Sequence, residues 1–271
     1  MAVTSMANSS IRDFTKFNSM AATFTAGPFA CTYLVVAGGG GTGNASLEQS
    51  GAGGAGGMRS NFGSTGGGGS VEDALTLTRG TYSVVVGAGG SPASDGSDSS
   101  FHTVDSSGGG FGGVTRAAAG NLGGSGGGGG DFGGVGGAGT SGQGFAGGTG
   151  QTNAPSNVRD GGASGGAGSA GSGSTSAGSG VSNSITGSAV TYSSGKLVTA
   201  GSGADNTGDG SGTSSSTSAG SGGSGVVIFT LPVQAIATFS GGVTQTSATV
   251  GVNKVYTVTA AGPSDTVTIG A

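Results

Sequence analysis

The sequence predicts a mainly β protein. It reads as a small β scaffold with extensive irregular or polyglycine-II-like glycine-rich segments, plus a C-terminal β module. Three observations point there. Strand-like text, Thr81–Gly87 and Val226–Leu231, closes off a stretch from Gly108 to Gly225 that is mostly glycine, serine, alanine and threonine. Glycine supplies 69 of the 271 residues, against a usual share of roughly 7%. The net charge is only −4 with a hydrophobic fraction of 32%, so the usual recipe for disorder, low hydrophobicity with high net charge, is half missing. Long structureless loops are uncommon inside compact domains. The stretch is therefore either disordered or holds an order that suits glycine.

Residues 1–22 read as an N-terminal docking segment. Ile11, Phe14, Phe17 and Met20 recur at a spacing of three, and Ser10 with Asp13 is a variant of the capping box. A helical turn or two with an apolar edge fits this pattern. That edge either packs into the core or docks onto a larger assembly. The first ten residues lack a basic region and an apolar core, so they do not read as a secretion signal.

Residues 23–232 read as a glycine-rich β domain. Thr32–Ala37 is a continuous apolar run, as in a strand buried on both faces. Ala74–Arg79 alternates apolar with polar residues. Gly80 permits a turn, so Thr81–Gly87 is expected to pair back on Ala74–Arg79. Ser100–Val104 is a weaker strand, and Gly38–Gly69 is a second glycine-rich excursion. Within 108–225, Ala189–Tyr192 and Lys196–Thr199 are the best strand candidates. Collagen requires glycine at every third position with abundant proline. Gly108, Gly109 and Gly110 followed by Gly112 and Gly113 break that phase, and the chain has five prolines. A bundle of polyproline-II-like glycine helices stays open: the conformation turns every three residues without internal hydrogen bonds, so bare backbones could bond to one another. Phe111, Phe132, Phe145, Val158 and Val181 are among the few sizeable residues there, either core plugs or contacts on loop tips. With Arg116 and Arg159, the three phenylalanines are the candidate surface-contact residues.

Residues 233–271 read as a small β module. Thr246–Val252 and Val255–Ala260 flank Asn253-Lys254, a plausible hairpin turn. Gly262–Asp265 is a turn, and Thr266–Ile269 a closing strand. These 39 residues are too few for an independent core, so the module must pack on the main domain or on copies of itself.

The composition argues against chemistry. Leu34–Gly43 looks like a strand entering a dinucleotide loop, but no helix text follows, nor an acidic residue at the expected distance. Gly195-Lys196 is followed by leucine, so there is no phosphate loop. Gly126–Asp131 brushes against a calcium-binding β-helix repeat but occurs once. The one histidine, His102, falls inside a strand candidate and has no identifiable nucleophile to serve. No enzyme, cofactor or metal site is expected. Eight Lys and Arg in the whole chain argue against nucleic acid, and no segment approaches the ~20 apolar residues of a membrane helix. Cys31, the one cysteine, excludes an internal disulfide and reads as a buried inert thiol.

Several blocks taken in order carry a resemblance: Thr23–Ala26, Tyr33–Gly41, Gly51–Arg59, Thr81–Gly90 and Gly222–Leu231. Together they resemble the glycine-rich domain of bacteriophage tail-fibre and other virion surface proteins. The resemblance implies a small β scaffold from which glycine-rich excursions pack or project, with loops that touch a host surface. It also implies that the first and last long strands lie side by side, that the leader is particle-proximal, and that the chain is a homo-oligomer on the virion. A trimer is the expected symmetry. The expected partners are other virion proteins, through the leader, and a bacterial surface receptor. The rival reading is an architectural virion subunit, such as a capsid decoration or tail structural protein, without receptor binding.

Overall fold

A computed structural model describes residues 28–43, 50–152, 161–212 and 218–270. The expected docking residues Ile11, Phe14, Phe17 and Met20 lie outside the described residues, as does Arg159. Among the described residues there is no α-helix; the chain is mainly β.

Two five-stranded antiparallel sheets pack face to face. Sheet 1 takes β2 (Tyr33–Val36), β3 (Met58–Ser60), β10 (Val226–Pro232), β12 (Thr244–Val250) and β13 (Asn253–Ala260), in the order β12-β13-β10-β2-β3. Sheet 2 takes β5 (Gly80–Val85), β6 (Ser99–Phe101), β7 (Val104–Ser106), β11 (Ile236–Phe239) and β14 (Thr266–Gly270), in the order β11-β14-β5-β6-β7. Two short antiparallel pairs complete the strands. In one, β1 (Phe29–Cys31) lies against β4 (Leu75–Leu77); in the other, β8 (Val181–Asn183) lies against β9 (Val190–Tyr192).

The period of two sorts the side chains of sheet 1 into two cores. Tyr33, Val35, Val227, Phe229, Leu231, Tyr256 and Val258 face sheet 2 and meet Val84, Phe101, Val267 and Ile269. Phe229 is stacked between Phe101 and Tyr256, with ring centroids at 4.6 and 5.2 Å. On the outer face, Leu34, Val36, Val226, Ile228 and Val255 pack under Ile185 and Tyr192 of the β8–β9 region. Burial on both faces is why β2 and β10 read as unbroken apolar runs. These first and last long strands lie side by side, Val226 opposite Val36 and Phe229 opposite Tyr33. Residues 233–271 supply strands to both sheets: β13 pairs with β10, and β14 with β5.

Four local expectations change. β4 pairs with β1 and β5 with β14 and β6, so Ala74–Arg79 and Thr81–Gly87 form no hairpin; alternation shows which face is buried but not which strand is the neighbour. His102 sits in the two-residue β6–β7 turn with φ 54° and packs edge-on against Tyr82 at 4.9 Å. The β12–β13 turn is Gly251-Val252 rather than Asn253-Lys254, with Gly251 at φ 61°, a position that favours glycine in a hairpin turn. Lys196–Thr199 is not a strand; the Lys196 carbonyl accepts from the Ser164 amide of a glycine-rich run.

The glycine-rich segments form a bundle of extended runs that leave one end of the sandwich. The run 50–57 is its centre. The amides of Gly51, Gly54 and Gly57 donate to Gly113, Gly110 and Ser107; those of Ala52 and Ala55 to Gly162 and Gly165; those of Gly53 and Gly56 to Ser211 and Gly208. Its carbonyls in turn receive Gly43, Gly40 and Ala37, and Gly128 and Ser125. Every third residue thus bonds to the same neighbour, and five neighbouring runs surround it. This is the three-residue periodicity of the polyproline-II conformation, with its unspent backbone groups satisfied between chains. The spacing is close. A Cβ added to Gly51 would fall on the Gly128 carbonyl, and one on Gly128 on that of Gly162.

Candidate functional site

The far end of the bundle is fixed by where its runs begin. The run 37–43 continues β2, the run 107–113 continues β7, and the run 220–225 leads into β10. Seven residues at about 3.1 Å each carry the turns at 91–94, 114–118 and 131–133 roughly 20 Å from the sheets. The described chain enters at the opposite end, through β1.

Two of those turns are tied together. The Ala117 amide donates to the Asp131 carbonyl at 2.7 Å, and the Gly130 amide to the Ala118 carbonyl at 2.8 Å. Ala117 at φ 58°, Phe132 at φ 56° and Gly133 at φ 85° reverse the chain within one or two residues. That reversal pushes Phe132 outward, to 38% exposure. The Arg116 guanidinium carbon lies 3.5 Å above the Phe132 ring centroid, and its Nε is 3.9 Å from an Asp131 carboxylate oxygen. Stacking of this kind is worth about 0.5–1 kcal/mol at an exposed site. Its greater consequence is that a long cation is held in place while its side chain stays 52% exposed. A planar fork so placed suits carboxylates and phosphates, and the ring beside it suits an apolar or sugar face.

Of the expected contact residues, the structure brings Arg116 and Phe132 together at this tip. Phe111 is half-buried one run away; its amide donates to Asp95 Oδ1 at 2.9 Å and its carbonyl receives Asn121. Phe145 is half-buried at the sheet-proximal end, its ring against Gly68. Two exposed residues escaped the sequence reading: Leu122 at 69% and Val135 at 63%. They sit on adjacent runs, linked by the Gly120 amide to the Val135 carbonyl and Gly123 to Ala138. A lone aliphatic in a glycine-rich run is the signal that marks them: with no apolar neighbour in sequence, each depends on another run for cover.

The sandwich holds little that could do chemistry. Burial pushes the Cys31 thiol up to about 12, so it stays protonated and unreactive at neutral pH. The Tyr33 hydroxyl is also pushed up, by burial first and then by donating to Glu72 at 2.8 Å. Glu72 in turn accepts two bonds from Arg59, at 2.6 and 2.9 Å. This trio closes off one edge of sheet 1. A cavity of about 180 Å³ on the outer face of sheet 1 is lined by Phe62, Thr32, Thr230, Ser184 and Asn253 among others; no residue lining it is acidic, basic or a thiol. Among the described residues no group of three His, Cys, Asp or Glu could hold a metal ion, and no helix is long and apolar enough to cross a membrane.

A family model described as a glycine-rich domain matches residues 15–232. The chain belongs to that glycine-rich domain family. No curated protein and no solved structure matches it. The matched span runs from the leader to the end of β10, and so takes in the whole glycine bundle and its tip.

Proposed function

We propose that this glycine-rich domain protein is a bacteriophage virion protein, a tail-fibre or adhesin component that attaches to the host surface. The observation that carries the reading is the Arg116–Phe132 tip. A stacked cation and an exposed ring stand at the end of the bundle, some 20 Å from the sheets. The resemblance of the ordered blocks to virion surface proteins supports the same reading. Attachment works by many weak contacts. Several copies on one particle raise the effective concentration of each, so a shallow tip suffices. The surface bound is expected to carry acidic groups, which match the guanidinium fork. Localisation on the virion surface and a homo-oligomeric state belong to this proposal, as does the absence of enzymatic activity.

The test is binding of labelled protein to a panel of bacterial hosts, with Arg116→Ala and Phe132→Ala alongside. Saturable binding to one host, weakened about tenfold or more by either substitution, is the expected result. Binding to no host favours the architectural subunit instead, and binding indifferent to both substitutions overturns the tip as the contact.

A further inference from the structure

The two edges of sheet 1 are finished differently. At the β3 edge the chain covers itself. The Gly66 amide donates to the Met58 carbonyl at 3.1 Å, Glu72 to Ser60 at 3.3 Å, and Met58 to Gln143 at 3.1 Å, while the Ser60 amide donates to Thr65 Oγ1. Among the described residues the β12 edge has no such cover. Its two-residue turn makes Val250 and Asn253 a bonded pair, so alternation along the ladder turns the backbone N–H and C=O of Thr249, Ser247 and Gln245 away from β13. Among the described residues no backbone group bonds β12 on that side.

Bare edges of this length are normally blunted by lysine, proline or inward charge. β12 reads Thr-Gln-Thr-Ser-Ala-Thr-Val, exposed or half-buried throughout, with no charge and no proline; its one irregularity is a register shift between Thr244 and Gln245, at its very start. The free edge of sheet 2, β11, lies on the same side, because β3 packs by β7 and β2 by β6 at the other. Ile236 on β11 is 58% exposed, and Val252 in the β12–β13 turn 79%.

We propose that β12 pairs antiparallel with β12 of a second copy of this chain, joining the two copies of sheet 1 across a two-fold axis. The strand is its own complement. With Ser247 opposite Ser247, Gln245 faces Thr249 and Thr249 faces Gln245, and all three pairs present outward backbone groups to each other. The strand carries no charge, so identical copies meet without the like-charge repulsion that would disfavour self-pairing. Of the side chains that then lie opposite each other, Ser247, Gln245 and Thr249 carry hydroxyls or an amide, which form cross-strand hydrogen bonds, while Thr246 meets Ala248. An isologous contact of this kind closes as a dimer. A three-fold assembly would have to be built through another surface.

The experiment is sedimentation of the full chain over a wide range of concentration, with Ser247→Pro and Ser247→Lys. Proline removes an outward amide that β13 does not use, and proline is tolerated on an edge. Lysine sets two charges face to face at the axis. The wild-type chain is expected to sediment as a dimer. Both variants should dissociate at least about tenfold more readily, with far-UV circular dichroism and urea unfolding of the monomer unchanged. A wild-type monomer at all concentrations, a trimer, or a dimer that survives both substitutions would overturn the proposal. Host binding plays no part in the readout, so this result and that of the tip assay stand apart.

Discussion

In the sandwich, Phe229 is held by rings stacked on either side of it. In the bundle, Gly54 is held by a 2.7 Å bond from its amide to the Gly110 carbonyl and by having no side chain at all. One region is fixed by buried apolar area, the other by backbone hydrogen bonds between runs that almost touch. Ordering glycine costs more conformational entropy than ordering any other residue, and each net hydrogen bond returns only about 0.5–1.5 kcal/mol. A lone glycine run therefore stays disordered. Order comes only when a central run such as 50–57 has neighbours on nearly every side. At the rim, side chains take the place of a missing neighbour: the Asp98 and Asp95 carboxylates accept the amides of Gly108 and Phe111, three residues apart, at 2.7 and 2.9 Å.

The sharpest way to break the bundle is to add one carbon. Gly51→Ala drives a Cβ onto the Gly128 carbonyl, a backbone atom that cannot rotate away. Urea unfolding should lose about 4 kcal/mol or more, the exceptional class for a single substitution. Gly241→Ala is the control. Nothing lies within 4 Å of its Cβ, and its stability should stay within about 0.5 kcal/mol of wild type. Equal effects at both sites would mean that close approach does not hold the bundle together.

Against that rule, the legibility of the sequence divides along the same line. β2 and β10 could be read because two-face burial leaves an unbroken apolar run. Their pairing with each other rested on the resemblance. The neighbour of β5 could not be read, since Thr266 of β14 pairs with Ser83 from about two thirds of the chain away and alternation is silent about distance. In the bundle the informative text was present at Gly51-Ala-Gly-Gly-Ala-Gly-Gly57, where the residue with a side chain recurs every third position, as the three-fold turn requires. The broken phase at Gly108–Gly113 excludes collagen, but it does not disturb a bundle. There, glycine is needed only on sides that face a neighbour, and Phe111 occupies a side that faces solvent and Asp95. The tip was half legible. Arg116 and Phe132 were marked as sizeable residues in a glycine background, but their stacking depends on two turns, 114–118 and 131–133, brought together by the packing of four runs.

The sandwich should fail by the opposite route. Phe229→Ala removes the ring between Phe101 and Tyr256, where collapse is limited by two sheets. The expected cost is about 3–5 kcal/mol by urea unfolding. If the two regions are held independently, amide exchange of 50–57 should keep its protection while that of β10 and β13 speeds up. Loss of protection in both would show that the runs depend on the sheets from which they spring.

A smaller effect separates the regions by pH. The run 50–57 carries no titratable side chain, whereas the sandwich buries Cys31 with its pKa pushed from 9.0 to about 12. In the unfolded chain the thiol loses its proton above about pH 9; in the folded chain it keeps it until about pH 12. The stability this contributes is therefore complete below pH 9 and is lost as the pH rises toward 12. At about 1.4 kcal/mol per pH unit, the loss by pH 11 is roughly 2.5 kcal/mol. Cys31→Val fills the same apolar site without a proton to lose and should cost under about 1.5 kcal/mol at pH 7. Its urea midpoint, followed by circular dichroism, should fall less steeply than that of the wild-type chain between pH 9 and 11. Some alkaline loss should survive the substitution, because the Tyr33 hydroxyl is also held protonated by burial and by Glu72. Parallel slopes for the two proteins would mean that Cys31 is not sealed in the core.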